Sequence, residues 1–139
     1  MNTRSSHILI PAPPDVVRQI LLEPTELADW NSAFLTIQGP KHAIVGERYP
    51  IVVRGGLRGH WAYRQITDEL IEGRWDVPGL TEENSWQLRP HGSGTHVTHA
   101  LQQRGALASV LRSATVNVAE LRLERLYKRA EARVLAGTS

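Results

Sequence analysis

Residues 106–136 read ALASVLRSATVNVAELRLERLYKRAEARVLA. These 31 residues contain no glycine and no proline, whereas all 8 prolines and 10 of the 11 glycines precede them. A run that clean, and rich in Ala, Leu, Arg and Glu, predicts one long helix. It would span about 46 Å at 1.5 Å per residue. Its apolar residues fall in two stripes. Leu107, Leu111, Ala114, Val118 and Leu121 form one; Val116, Ala119, Leu123, Leu126, Ala130 and Val134 form the other, displaced by more than a quarter turn. One stripe can grip a sheet and line a cavity, with Leu111 and Ala114 as lining residues. The other needs the N-terminal helices, a bend in the helix, or a second copy of the chain in a homodimer.

Outward from this helix the pattern changes. Upstream, short alternating segments are separated by turn residues about every ten positions, as in hairpin-connected antiparallel strands. The segments are Phe34 to Gln38, Glu47 to Arg54, Arg58 to Glu69, Leu70 to Val77, Thr81 to Arg89 and Gly94 to Arg104. Before them His7 to Ile10 reads as a short strand ended by Pro11. Pro13-Pro14-Asp15 opens a helix through Leu22, since proline is tolerated in a first turn. Pro24 starts a second short helix, Thr25 to Asp29, ending at Trp30. Strands in a run followed by a terminal helix predict an α+β fold of about seven strands.

The 139 residues predict a single domain, 1–139, large enough for one core. A net charge of +2 gives little reason to expect a nucleic-acid partner. The absence of cysteine removes disulfides, thiol nucleophiles and cysteine-based zinc sites. No run of about 18 apolar residues predicts a membrane span. Met1 to Ser6 is polar and lacks a signal-peptide core, so a soluble cytoplasmic protein is expected.

Alternate residues on a strand share a face. Ile71, Gly73, Trp75 and Val77 oppose Glu72, Arg74 and Asp76. Asn84, Trp86 and Leu88 share a face, as do Val97, His99 and Leu101, and Tyr49, Ile51 and Val53. The 58–69 strand admits two registers. One turns His60, Ala62, Arg64 and Ile66 inward, and the other Trp61, Tyr63 and Gln65. The first is preferred because it places Ile66 in the core. A one-residue slip exchanges the sets. The interior inventory is then Trp30, Tyr49, Trp75, Trp86 and aliphatic residues, with Asn84, His99, His60 and Arg64 as polar points. That composition suits a small-molecule pocket, and equally a plain core.

Among polar candidates, His99 among Val97 and Leu101 is of the type that moves protons near neutral pH, or is a core histidine bonded to backbone. Arg64 would hold a carboxylate or an enolate oxygen if inward, or face solvent. No metal is expected. His96 and His99 fall on opposite faces of a strand, and no HExxH spacing occurs. Gly55-Gly56-x-x-Gly59 leads into no helix, so it is a hairpin turn rather than a nucleotide loop. No cofactor is implied. Arg122, Arg125, Lys128, Arg129 and Arg133 form a basic run, read as a solvated face suited to the helix dipole, or as a surface for an anionic membrane or partner.

Several stretches resemble the START-like superfamily of bacterial and other helix-grip proteins, which includes polyketide cyclases, lipid carriers and birch-pollen-allergen-like proteins. They are Ile8-x-Ile10-x-Ala12-Pro13-x-x-x-Val17, Leu22-x-Pro24-x-x-Leu27-x-x-Trp30, Val45-Gly46-x-x-Tyr49, Leu88-x-Pro90 with Gly94-Thr95-x-Val97, and Leu123-x-x-Leu126-x-Lys128. Their order and spacing cover nearly the whole chain. The resemblance implies a curved sheet gripping a long helix around an apolar cavity, with two short N-terminal helices. It also implies a small hydrophobic ligand, aromatic or polyketide-like, held by a carrier or sensor. The same resemblance leaves open a polyketide cyclase or dehydratase, for which Arg64, Tyr49 or Tyr63, and Asn84 are of the right types. A protein-interaction module like the superfamily's co-chaperones is a third outcome. Fold alone does not decide among them.

Overall fold

The alternating segments form seven antiparallel strands, and the two ends of the chain supply the helices that cover them. The computed structural model describes residues 1–137. The elements are β1 (Asn2–Ile10), α1 (Pro14–Leu21), a 3-10 turn (Pro24–Glu26), α2 (Leu27–Trp30), β2 (Phe34–Ile37), β3 (Tyr49–Val53), β4 (Arg58–Ile66), β5 (Leu70–Val77), β6 (Leu80–His91), β7 (Gly94–Arg104), α3 (Ala106–Val110) and α4 (Val118–Gly137). The strands make one curled sheet in the order β1-β7-β6-β5-β4-β3-β2. Helix α4 packs against β1 and β7 and meets α1 and α2. This is a helix-grip α+β fold.

β1 is longer than its apolar residues suggest. It begins at Asn2 and pairs with β7 from Asn2 opposite Gln103 to Ile10 opposite Thr95. Residues 2–6 are polar, so backbone pairing rather than hydrophobic alternation extends this strand.

The 106–136 segment is not one helix. After α3 the chain runs through turns over residues 111–117 before α4 begins. Thr115 sends its hydroxyl back to the carbonyls of Leu111 and Arg112 (3.1 and 3.3 Å), the local competition that weakens helices at Ser and Thr. The freed carbonyls also gain partners from β1. Arg4 donates to Arg112 O (3.1 Å) and Thr115 O (3.3 Å), and Asn2 Nδ2 donates to Ala108 O (2.6 Å). The break accounts for the two stripes. Leu107 and Leu111 pack from the first piece, while Ala119, Leu123, Leu126 and Ala130 form the buried seam of α4. Ala114 and Val116 are exposed.

The 58–69 strand takes the register not preferred from sequence. Trp61 and Tyr63 are buried, His60 is half-buried and Arg64 is exposed. Tyr63 pairs with Gly73, but Gln65 pairs with Glu72 and Ile66 with Ile71. Arg64 is therefore the extra residue of a β-bulge, the device that lets Tyr63 and Ile66, three apart, both reach the core. Gly73 makes room for this packing: a Cβ there would lie 1.9 Å from the far edge of the Trp61 ring.

Candidate functional site

The inward positions of β5, β6 and β7 bring Trp75, Glu82, Asn84, His99 and Gln103 to one end of the core. Arg122 of α4 drops onto them. Glu82 is fully buried and Arg122 nearly so. The two form a bidentate ion pair, Nη1 to Oε2 and Nη2 to Oε1, both 2.9 Å. The Glu82 carboxylate also accepts Trp75 Nε1 (3.0 Å), Asn84 Nδ2 (2.8 Å) and Gln103 Nε2 (2.9 Å). Burial alone would raise its pKa. The Arg122 charge, with the hydrogen bonds of Arg122, Asn84 and Gln103, outweighs that and holds the carboxyl below its ordinary range, at about 2.

His99 completes this cluster. Its Nδ1 lies 2.9 Å from Ser85 O, a carbonyl that can only accept, so Nδ1 carries the proton. Its Nε2 is then free to accept from Arg122 Nη1 at 3.4 Å. The ring stacks on Trp86 with centroids 3.7 Å apart and 17° between planes. Burial first, then the adjacent Arg122 charge, push its pKa down to about 3. His99 is thus neutral at pH 7 with both nitrogens engaged, which does not suit a proton shuttle.

Beside this cluster lies an aromatic chamber. Leu21, Leu27, Trp30, Asn31, Phe34, Trp61, Tyr63, Ile71, Asn84 and Trp86 line it. Its rings meet edge to face: Trp30 on Trp86 at 5.6 Å, Phe34 on Trp61 at 5.9 Å, and Trp61 on Tyr63 at 5.2 Å. The free volume inside is about 10 Å3, room for about one water. Two buried polar atoms of its lining residues have no hydrogen-bond partner, Trp30 Nε1 and Asn84 Oδ1, while the Trp61 indole N–H is directed at the Tyr63 hydroxyl. Tyr63 is held by its hydroxyl donating to Leu21 O at 2.6 Å, and burial pushes its pKa upward.

Of the residues singled out from sequence, Trp30, Asn84 and Trp86 line the chamber, and Trp75 and His99 belong to the polar cluster. Tyr49 is buried beside Tyr63 with its hydroxyl on His42 O (3.0 Å). The structure corrects four others. His60 sits on the outer face against Arg48, and Arg64 is the exposed bulge residue. Leu111 and Ala114 lie in the turns after α3, half-buried and exposed, because the helix that would have carried them inward is broken. The basic run is also divided. Arg122 is buried, Arg129 and Arg133 pair with the N-terminal acids, and Arg125 and Lys128 are exposed.

The missed residues left signals. Glu82 shares strand parity with Asn84 and Trp86, Gln103 shares it with Leu101, and Arg122 follows Ala119 by three on the buried seam of α4. Trp61 follows from the register that was set aside.

Residues 1–135 match the family described as polyketide cyclase / dehydrase and lipid transport. The chain belongs to this family. Its family and fold suggest hydrophobic-ligand binding or a polyketide-cyclase-like function. No curated protein matches it in sequence. Among solved structures it resembles a START superfamily protein from Mycobacterium smegmatis, with a TM-score of 0.76 and 13% identity over 94% of this chain and 97% of that one. A hypothetical protein from Helicobacter pylori gives a TM-score of 0.74 at 14% identity, covering 93% and 88%. A putative protein in the dynemicin biosynthetic locus gives 0.67 at 17% identity, covering 94% of this chain and 48% of that one. At these identities the structural likeness establishes the fold. Among the described residues no helix is long and apolar enough to cross a membrane.

Proposed function

We propose that this protein binds a small, neutral, largely apolar molecule, aromatic or polyketide-like, in the chamber formed by Trp30, Phe34, Trp61, Tyr63 and Trp86. One observation carries the reading: an indole N–H and an amide oxygen, Trp30 Nε1 and Asn84 Oδ1, both buried and unpartnered, belong to residues that line a single aromatic chamber. An unmet buried polar atom costs about 1–3 kcal/mol. A ligand with an acceptor oxygen for Trp30 and a hydroxyl for Asn84 would remove those costs on binding. The ligand is neutral because the adjacent charges, Glu82 and Arg122, are already engaged with each other. The family description and the neighbour from a biosynthetic locus point the same way. A carrier or sensor needs only this chamber. A cyclase or dehydratase built on His99 and Arg64 is disfavoured, since one is locked neutral and the other is outside.

Native mass spectrometry of protein purified from its own host should show a retained small molecule. In thermal-shift assays, 2-acetyl-6-hydroxynaphthalene should raise Tm more than naphthalene or 6-hydroxy-2-naphthoate. At a hundredfold excess over Kd the stabilisation is about 2.7 kcal/mol. No retained mass, with no shift from any aromatic or lipid probe, would sink this reading.

A further inference from the structure

The segment between α1 and β2 separates two spaces. Leu21, Leu27 and Trp30 wall the aromatic chamber of about 10 Å3. Leu22, Glu23 and Glu26, on the same stretch, wall an outer groove of about 750 Å3. A single turn of 3-10 helix and a four-residue helix, neither with a side-chain cap, therefore form the partition. An aromatic ligand cannot fit the chamber as closed, so some wall must move. Of the chamber's sheet walls, β5 and β6 share a continuous ladder, and β2 and β4 stay paired to their neighbours with one register shift each. The partition belongs to no ladder.

Burial of Leu27 and Trp30 holds the partition from inside, and ion pairs fasten its outer edge. Glu23, Glu26 and Asp29 recur every three residues, and α4 presents Arg133 and Arg129 to them. Arg133 meets Glu23 at 2.8 Å, and Arg129 meets Glu26 at 3.3 Å and Asp29 at 3.7 Å. All five side chains are partly exposed, between 23% and 60%. Ion pairs of this kind are weak singly and screened by salt. At the other end, the Tyr63 hydroxyl anchors Leu21 O within the buried core, a fixed point about which the stretch can turn.

We infer that residues 22–30 are the gate of the chamber, latched to α4 by Arg129 and Arg133, and that the outer groove is the vestibule through which the ligand passes. This rests on the binding reading above. Opening breaks the ion pairs and swings Leu27 and Trp30 off the chamber, so uptake is governed by ionic strength as well as by ligand fit. The same motion exposes the Trp30 indole to the incoming ligand.

The test bridges the latch covalently. The chain has no cysteine, so Glu23→Cys with Arg133→Cys can be joined by a thiol-cleavable bismaleimide at a defined place. Stopped-flow uptake of 2-acetyl-6-hydroxynaphthalene is then followed by its fluorescence. Bridged protein should take up the probe at least tenfold more slowly, and cleavage of the linker should restore the rate. In parallel, Arg129→Gln with Arg133→Gln should raise the uptake rate about fivefold at low salt and flatten its salt dependence. Uptake that is unchanged by the bridge, or by the double Gln variant, overturns the gate while leaving binding intact. Failure of unmodified protein to bind the probe at equilibrium overturns the binding reading, and the gate with it.

Discussion

Asn84 stands between two regions of the core, one built on a buried ion pair and one on aromatic rings. Its amide nitrogen faces Glu82, where five donors converge on one carboxylate and Arg122 closes a bidentate pair. Its amide oxygen has no partner, like the indole nitrogen of Trp30, and both residues line the aromatic chamber. The first region is an anchor: it fixes α4 on the sheet through charge-assisted hydrogen bonds shielded from water. The second is filled by rings that meet edge to face and is lined by no charged residue. Each keeps buried polar atoms without a partner, Gln103 Oε1 and Arg122 Nε in the first and Trp30 Nε1 and Asn84 Oδ1 in the second. The contrast is between a charged anchor and an uncharged aromatic chamber.

The anchor should break hardest. Glu82→Ala strands a buried guanidinium and should cost about 3–5 kcal/mol in urea unfolding. Glu82→Leu with Arg122→Met should recover only part of that loss: it removes the stranded charge, but Trp75 Nε1, Asn84 Nδ2 and Gln103 Nε2 still lose their acceptor. A double variant as stable as the wild type would show that the three donors contribute nothing measurable. Next in size, Gly73→Ala should cost about 1–3 kcal/mol by driving a methyl into the Trp61 ring. Because Trp61 belongs to the chamber, the same variant should weaken probe binding.

The anchor also sets the response to pH. His99 has its pKa depressed from 6.5 to about 3, so below about pH 6.5 the unfolded chain binds a proton that the folded chain refuses. Stability then falls with pH from about 6.5 toward 3, with a slope of up to about 1.4 kcal/mol per pH unit. Glu82 acts in the same direction lower down: its depressed pKa stabilises the fold above 4.5, and that contribution is lost as pH falls toward about 2. Urea midpoints between pH 7 and 4.5 should fall in the wild type and stay flatter in His99→Phe. On the chamber side, Trp61→Phe and Trp30→Phe should each cost about 1–2 kcal/mol of free-protein stability through the space left in a packed core, and Trp30→Phe, which removes an unpartnered donor, should lower affinity for a carbonyl-bearing probe. Smallest of all, Arg64→Ala at the exposed bulge should stay within about 0.5 kcal/mol and leave probe binding unchanged. A loss of binding there would return Arg64 to the site.

Much of this contrast was legible in the residues. Alternation placed Asn84, Trp86 and His99 on the inner face, and the same parity carries Glu82 and Gln103 with them. Charge obscured Glu82 and Arg122. Each looks solvent-facing alone, and only their pairing makes burial tolerable. His60 and Arg64 were misplaced for a different reason. Two-residue periodicity assumes a regular strand, and the bulge at Arg64 lets Trp61, Tyr63 and Ile66 share the core across an odd spacing.

By itself, then, the sequence determined the order of strands and helices, the inner face of β3, β5, β6 and β7, and the aromatic character of the interior, because side-chain alternation and turn chemistry are local. Tertiary structure alone decided where the C-terminal segment breaks and which register β4 adopts. Asn2 and Arg4 reach more than a hundred residues along the chain to take carbonyls of α3 and of the turns after it. Gly73 on the neighbouring strand makes the space that Trp61 occupies. Both depend on partners distant in sequence, whose energies enter only once the sheet has assembled.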